Sequence, residues 1–215
     1  MIALLATSSL IMAGAVTSAA AQSTEASAAR APSVRERAEM SRAKGAADAP
    51  VLVYEIADFQ CPYCARFARD VFPTIDTEYV KTGRVRWVFV NLPLPSHPFG
   101  WAAAEAALCA GAAGNGFWAL HDRLYGRQAE WTAGPDPTPH FIAYAREAGV
   151  PIEPFLQCMQ RDAVALLILE DVLSAAASQV TGTPTFVVDN QELVVGLKSI
   201  EEWRELLERA LERER

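Results

Sequence analysis

The first 29 residues contain no lysine or arginine, and no cluster of basic residues appears further on. Lysine and arginine total 19 against 26 acidic residues, a formal net charge of −7, which excludes the electrostatic footprint of a protein that tracks a phosphate backbone. Nucleic acid is not an expected partner. Cysteine is scarce, with four in 215 residues, so a disulfide scaffold standing in for a core is excluded. No run approaches the roughly 20 apolar residues a membrane-crossing helix needs. The three histidines, His97, His121 and His140, share no helical spacing with another ligand. They read as caps or surface residues, and no metal or other cofactor is expected. No internal repeat is visible. What is present is a hydrophobic fraction of 51%, enough for a real core in one domain or a small domain with an insertion.

Residues 1–21 combine a broken apolar stretch with small residues at Ala19 and Ala21, the pattern of a signal peptide and its cleavage site, although the positive start of such a leader is lacking. Export is therefore expected. Residues 22–49 are rich in Ala, Ser and charge, with helical potential over 34–44, and read as a linker or peripheral segment.

From Pro50 the pattern changes. Residues 51–56 read as a buried strand, 65–81 as a helix interrupted by Pro73, and 85–90 as a second strand. Residues 98–177 are Ala-rich with helical periodicity, punctuated by Gly and Pro. Strand signals return at 185–188 and 193–195 around the turn residues Asp189, Asn190 and Gln191, and Ser199 caps a last helix. The reading is an α/β fold: a first part over 50–96, an all-helical insertion over 97–177, and a closing part over 178–215.

Cys61-Pro62-Tyr63-Cys64 lies at the start of the first helix. Unpaired N–H groups and the positive end of the helix dipole favour a thiolate at Cys61, lowering its pKa below the free value of about 8.5. Cys61 is then the nucleophile and Cys64, a turn deeper, the resolving thiol. Pro62 at the first helical position loses no hydrogen bond. Half of a zinc site is the competing reading, but Cys109 and Cys158 are not paired at finger spacing. Phe59, Tyr63 and residues 91–99 are expected to form an apolar rim beside Cys61. Phe117, Trp118 and Tyr125 read as insertion core.

Asp48-Ala49-Pro50-Val51, Asp58-Phe59-Gln60-Cys61-Pro62-Tyr63-Cys64 and Gly182-Thr183-Pro184-Thr185-Phe186 together resemble the DsbA-like branch of the thioredoxin superfamily, as do Gly116-Phe117-Trp118, His121-Asp122 and Leu124. The resemblance covers about residues 45–213. It implies a thioredoxin fold (βαβ…ββα) interrupted by a helical insertion, an exported enzyme of thiol–disulfide exchange, and a cis Thr183–Pro184 bond packed against the CxxC. Thr183, Pro184, Pro62 and Tyr63 are then the substrate-binding positions. Glu55, six residues before Cys61, matches the buried acid that the superfamily keeps near its resolving cysteine; an edge-strand glutamate facing solvent is the alternative. Unfolded or reduced exported proteins are the implied substrates, and a DsbB-like or VKOR-like membrane protein the re-oxidising partner.

Cys109 and Cys158 fall on two helices of the insertion. In an exported chain two leftover cysteines are most simply bonded to each other, and some DsbA-like proteins carry such a second disulfide; two buried free thiols are the alternative. Pro-Tyr between the cysteines lacks the histidine of the strongest oxidases of the branch, so a reductase or isomerase with the same site stands beside the oxidase reading. A non-catalytic metal-holding or chaperone module is the third reading. No dimerisation segment is visible in 22–49, and a monomer is expected.

Overall fold

The structure, a computed structural model, describes residues 30–214. The leader expected over 1–21 lies outside the described residues. Among the described residues no helix is long and apolar enough to cross a membrane.

Val, Trp and Phe side chains at alternate positions drive the sheet. Strand β2 (Val51–Ala57) lies parallel to β3 (Val85–Asn91), with Val53 opposite Trp87 and Glu55 opposite Phe89. On its other side β2 pairs antiparallel with β4 (Thr185–Val188), placing Glu55 opposite Phe186. A hairpin through Asp189 and Asn190, both in the left-handed region that Asp and Asn tolerate, adds β5 (Glu192–Val195). A two-residue strand, β1 (Ala43–Lys44), runs antiparallel along β3, for a sheet order β1-β3-β2-β4-β5. Directly paired residues share a face, so Val53, Trp87, Phe186 and Val188 form one apolar surface.

The helical run that follows the CxxC covers that surface. Helix α2 (Pro62–Arg66) passes into a π-helical turn over Phe67–Val71, then α3 (Phe72–Ile75) and a second π-helical turn over Asp76–Val80. The cause is Pro73. It has no N–H to offer the carbonyl of Arg69, so the chain widens and the Phe72 N–H bonds the Phe67 carbonyl instead. The kink expected at Pro73 is therefore an expanded turn that keeps one continuous run, with Phe67, Phe72 and Ile75 buried on the sheet. The last helix, named α10 below, closes the same face with Trp203, Leu207 and Ala210.

The insertion consists of α4 (Gly100–Gly114), α5 (Phe117–Gly126), α6 (Gln128–Thr132), α7 (Thr138–Glu147), α8 (Ile152–Gln160) and α9 (Ala165–Ala177). Its core is built around the Ala-rich α4, with Phe117, Trp131, Phe141 and Phe155 fully buried. Helix α10 (Ile200–Arg213) starts at a capping box in which the Ser199 hydroxyl accepts the Glu202 N–H and the Glu202 carboxylate accepts the Ser199 N–H.

Of the segment 22–49, read as a linker or peripheral stretch with helical potential over 34–44, the described part contains a helix. Helix α1 (Val34–Ser41) packs on α4 through small residues: Ala38 is fully buried, and a Cβ added at Gly111 would stand 1.9 Å from the Ser41 hydroxyl oxygen. The Phe89 N–H donates to the Arg42 carbonyl. The Arg42 guanidinium, also buried, meets Asp171 of α9 at 2.6 Å, and the same carboxylate oxygen accepts two bonds from Asn91. Buried charge of this kind is tolerated only when paired. The composition of this segment gave no sign of this burial because close packing of Ala, Ser and Gly leaves no apolar periodicity to read.

Candidate active site

Cys61 caps the N-terminus of α2 in an extended conformation, and Pro62 occupies the first helical position. The Cys61 N–H donates to the Asp58 carbonyl and the Ala65 N–H to the Cys61 carbonyl, fixing the sulfur at the helix start. Both cysteines are free thiols and both are buried. The Cys61 Sγ lies 3.4 Å from the Thr183 carbonyl oxygen, and the Thr183–Pro184 bond is cis. Tyr63 is the exposed member of the group, with 58% of its surface accessible.

The two thiols are electrostatically unequal. The thiol of Cys64 donates to the Cys61 sulfur and is the largest influence drawing the Cys61 pKa down to about 6, against the opposing effect of burial; the Thr183 side chain and the N–H groups of Tyr63 and Cys64 lower it further. Burial, and next the bond that it donates to Cys61, holds the Cys64 pKa well above its ordinary value. At neutral pH one proton is thus shared by the pair and resides on Cys64.

Glu55 lies on the central strand β2, so the edge-strand reading is overturned. The carboxyl is 1% exposed and faces the underside of the helical run. One oxygen accepts the Trp87 indole N–H at 2.8 Å and the other has no partner. Burial pushes its pKa up to about 7, with the Trp87 bond acting in the opposite direction.

Asp58, Gln60, His97 and Gln128 were not singled out as site residues, and the structure assembles them around the loop. Asp58, buried, accepts from the N–H groups of Gln60 and Leu94 and sits 2.7 Å from the His97 ring. Gln60 accepts the Phe99 N–H. Gln128 of α6 donates to the carbonyls of Phe59 and Cys61, so the insertion grips the redox loop directly. Apart from the bond between Gln60 and Asp58, the partners are 36 to 69 positions apart, and only the Asp58-Phe59-Gln60 motif hinted at them. Phe59, expected on an exposed rim, is instead buried and stacked on Phe89. His121, expected as a cap or surface residue, is fully buried in an aromatic cluster, where desolvation lowers its pKa. Cys109 of α4 and Cys158 of α8 are joined by a disulfide, Cα to Cα 5.6 Å. Among the described residues no cluster of three metal-ligating side chains occurs.

Fold and site together define a thioredoxin-type dithiol centre roofed by a helical insertion. A family model described as thioredoxin matches residues 37–209, and the chain belongs to that family, with the fold of its DsbA- and BdbD-type members. The crystal structure of oxidised BdbD from Bacillus subtilis superposes with a TM-score of 0.72 at 24% identity, covering 80% of this chain and 92% of that one. Disulfide bond formation protein D of Bacillus subtilis is 26% identical over 173 residues, 78% of this chain and 75% of that protein. The Na(+)/H(+) antiporter NhaA 1 of Salinispora arenicola is 36% identical over 149 residues, 69% of this chain. This chain spans only 21% of that antiporter's length.

Proposed function

We propose that the protein is an extracytoplasmic thiol–disulfide oxidoreductase that introduces disulfides into exported proteins through Cys61 and Cys64. The observation that carries the reading is the inequality of the two thiols, a low-pKa Cys61 at the helix start beside a buried, protonated Cys64. In the oxidised enzyme a substrate thiolate attacks the Cys61 sulfur, the Cys61–Cys64 bond breaks, and the electron pair leaves on Cys64. Glu55, half protonated near pH 7, supplies the proton that Cys64 needs. A second substrate thiolate attacks the substrate sulfur of the mixed disulfide and releases Cys61 as a thiolate. Two electrons pass from substrate to enzyme, and a DsbB-like or VKOR-like membrane partner removes them again. Thr183, Pro184, Pro62 and Tyr63 present the surface on which the substrate strand lies, and the protein works as a monomer.

Equilibration of the protein with glutathione buffers tests the direction of flow. A potential near −120 mV is the expected result for a disulfide donor, whereas one near −270 mV would identify an electron donor of thioredoxin type and reverse the proposed direction.

A further inference from the structure

The strand order leaves β1 and β5 as the two edges of the sheet. Strand β1 is two residues long and carries Lys44, the short, charged kind of edge that discourages further pairing. Strand β5, Glu192-Leu193-Val194-Val195, pairs with β4 without a bulge and contains no lysine or proline. Leu193 is 56% exposed and Val195 63% exposed, while Val194 between them is buried with Trp203 and Leu206 of α10.

The register decides which backbone groups at this edge are free. In an antiparallel pair, residues that bond their neighbour alternate with residues whose N–H and C=O point away from it. The Gly196 N–H donates to the Pro184 carbonyl at 2.8 Å. Counting back along the ladder, Val195 stands opposite Thr185, Val194 opposite Phe186 and Leu193 opposite Val187. Val194 therefore bonds inward to β4, and Leu193 and Val195 turn both backbone groups outward. The residues with exposed apolar side chains are the same two that offer a free backbone.

A groove of about 340 Å³ follows this edge between β5 and α10, with Val194, Trp203 and Leu206 as its apolar wall. On its rim Glu192 lies 3.5 Å from Arg209 and Lys198 lies 3.7 Å from Glu202. Glu205 has no ionic partner among the described residues, so the groove carries one unbalanced negative charge. One end of the edge adjoins the redox centre. The Pro184 carbonyl that holds Gly196 is one residue from Thr183, whose own carbonyl lies 3.4 Å from the Cys61 sulfur.

We propose that the β5 edge is a docking track for the substrate polypeptide: an extended segment adds to the sheet through the backbone of Leu193 and Val195. Its alternate side chains lie over Leu193 and Val195 and in the α10 groove, with a lysine or arginine against Glu205. The inference rests on the exchange reaction proposed above and names a class of substrate for it. That class is chains in which an apolar, β-branched segment with one basic residue lies close to the reactive cysteine. Strand spacing sets the distance. From β2, which leads into the redox loop, to a strand beyond β5 is three spacings, about 14 Å, or about four to five extended residues.

The test is stopped-flow reduction of the oxidised protein by two dithiol peptides of one composition, each carrying the segment Val-Thr-Val-Lys-Val. In the first peptide the segment begins about five residues from the nearer cysteine, and in the second it follows the cysteine directly. The first should react about tenfold faster at low concentration, through KM and not kcat. Leu193→Pro removes an outward N–H that the fold does not use; it should bring the two peptides within about twofold of each other and leave reduction by dithiothreitol unchanged. Glu205→Lys should transfer the preference to a peptide with glutamate in place of lysine. Amide exchange at Leu193 and Val195 should slow when the serine-for-cysteine form of the first peptide is added. Equal wild-type rates for the two peptides overturn the track while leaving the exchange reaction standing. Wild type that sediments as a dimer, and as a monomer after Leu193→Pro, gives the edge to a second copy and also overturns it. Wild type that oxidises neither peptide overturns the exchange reaction, and slowed exchange at the two amides would then still support the edge as a peptide-binding surface.

Discussion

Glu55→Gln isolates the energetic cost of keeping an acid beneath the redox helix. The folded pKa of about 7 stands above the ordinary value of 4.5 because burial penalises the carboxylate. The folded state therefore binds this proton more tightly than the unfolded chain does. Stability contributed by the neutral carboxyl is present in full below about pH 4.5 and is lost as pH rises through 7. The full shift, 7 − 4.5 = 2.5 units at about 1.36 kcal/mol each, is a penalty of about 3.4 kcal/mol above pH 7. Linkage between the two pKa values places about 0.8 kcal/mol of it at pH 5 and nearly all of it at pH 8, a difference of about 2.5 kcal/mol. Glutamine has the same shape, keeps an acceptor for Trp87 and never ionises. Its amide N–H groups, placed where the free oxygen now stands, cost the same at every pH. Urea unfolding of the reduced protein, wild type against Glu55→Gln, should then show the variant gaining about 2.5 kcal/mol on the wild type between pH 5 and pH 8. A gain below about 1 kcal/mol would refute the buried, proton-holding role of this carboxyl.

Four other outcomes follow from the packing and charges. In the reduced protein the Cys61 thiolate should appear at 240 nm with a midpoint of about 6, and Cys64→Ala, by removing the largest influence on it, should move that midpoint upward; an unmoved midpoint would separate the two thiols. Because this pKa is lowered on folding, its contribution to the stability of the reduced form is complete above about pH 9 and fades as pH falls through 6, which pH-dependent unfolding would show. Replacing both Cys109 and Cys158 by alanine opens a 49-residue loop and should lower stability by about 4 kcal/mol in urea while leaving the Cys61 midpoint in place; a loss under about 1 kcal/mol would contradict the chain-entropy account. Gly111→Ala drives a methyl group into Ser41 and should cost about 1–3 kcal/mol by prising α1 from α4; a neutral result would mean the two helices are not in the contact described.

How much of this was legible beforehand divides along a physical line. The strands beginning at Val51, Val85 and Thr185 and the capped helix after Ser199 announce themselves because each is specified by neighbours in sequence: runs of β-branched residues, a capping box, a turn of Asp and Asn. The redox loop is legible for the same reason, as Cys61, Pro62 and Cys64 are contiguous. What was not legible depends on partners far away in the chain. Asp58 is an ordinary loop aspartate until Leu94 and His97 close over it, and Gln128 is an unremarked polar residue until it reaches the carbonyls of Phe59 and Cys61. The helix in the segment from Val34 to Lys44 was legible, but its burial against α4 was not, because the contacts at Ala38, Ser41 and Gly111 are made by the smallest side chains, which carry almost no hydrophobic signal. His121 was misread because a lone histidine says nothing of the six aromatic rings around it.

The grip of Gln128 on the redox loop bears on how such a fold can be engineered. An insertion is commonly treated as a cassette that can be trimmed to leave a minimal thioredoxin. Here the carbonyls of Phe59 and Cys61 would lose their donor, and Phe59 and Phe89 would lose the wall formed by Phe117, His121 and Tyr125. A miniaturised version keeping only the sheet and its two covering helices would retain the CxxC letters and lose the surroundings that make its two sulfurs differ. The helical block is part of the packing around the dithiol, and any chimera that exchanges it exchanges the partners of Phe59 and Cys61 along with shape.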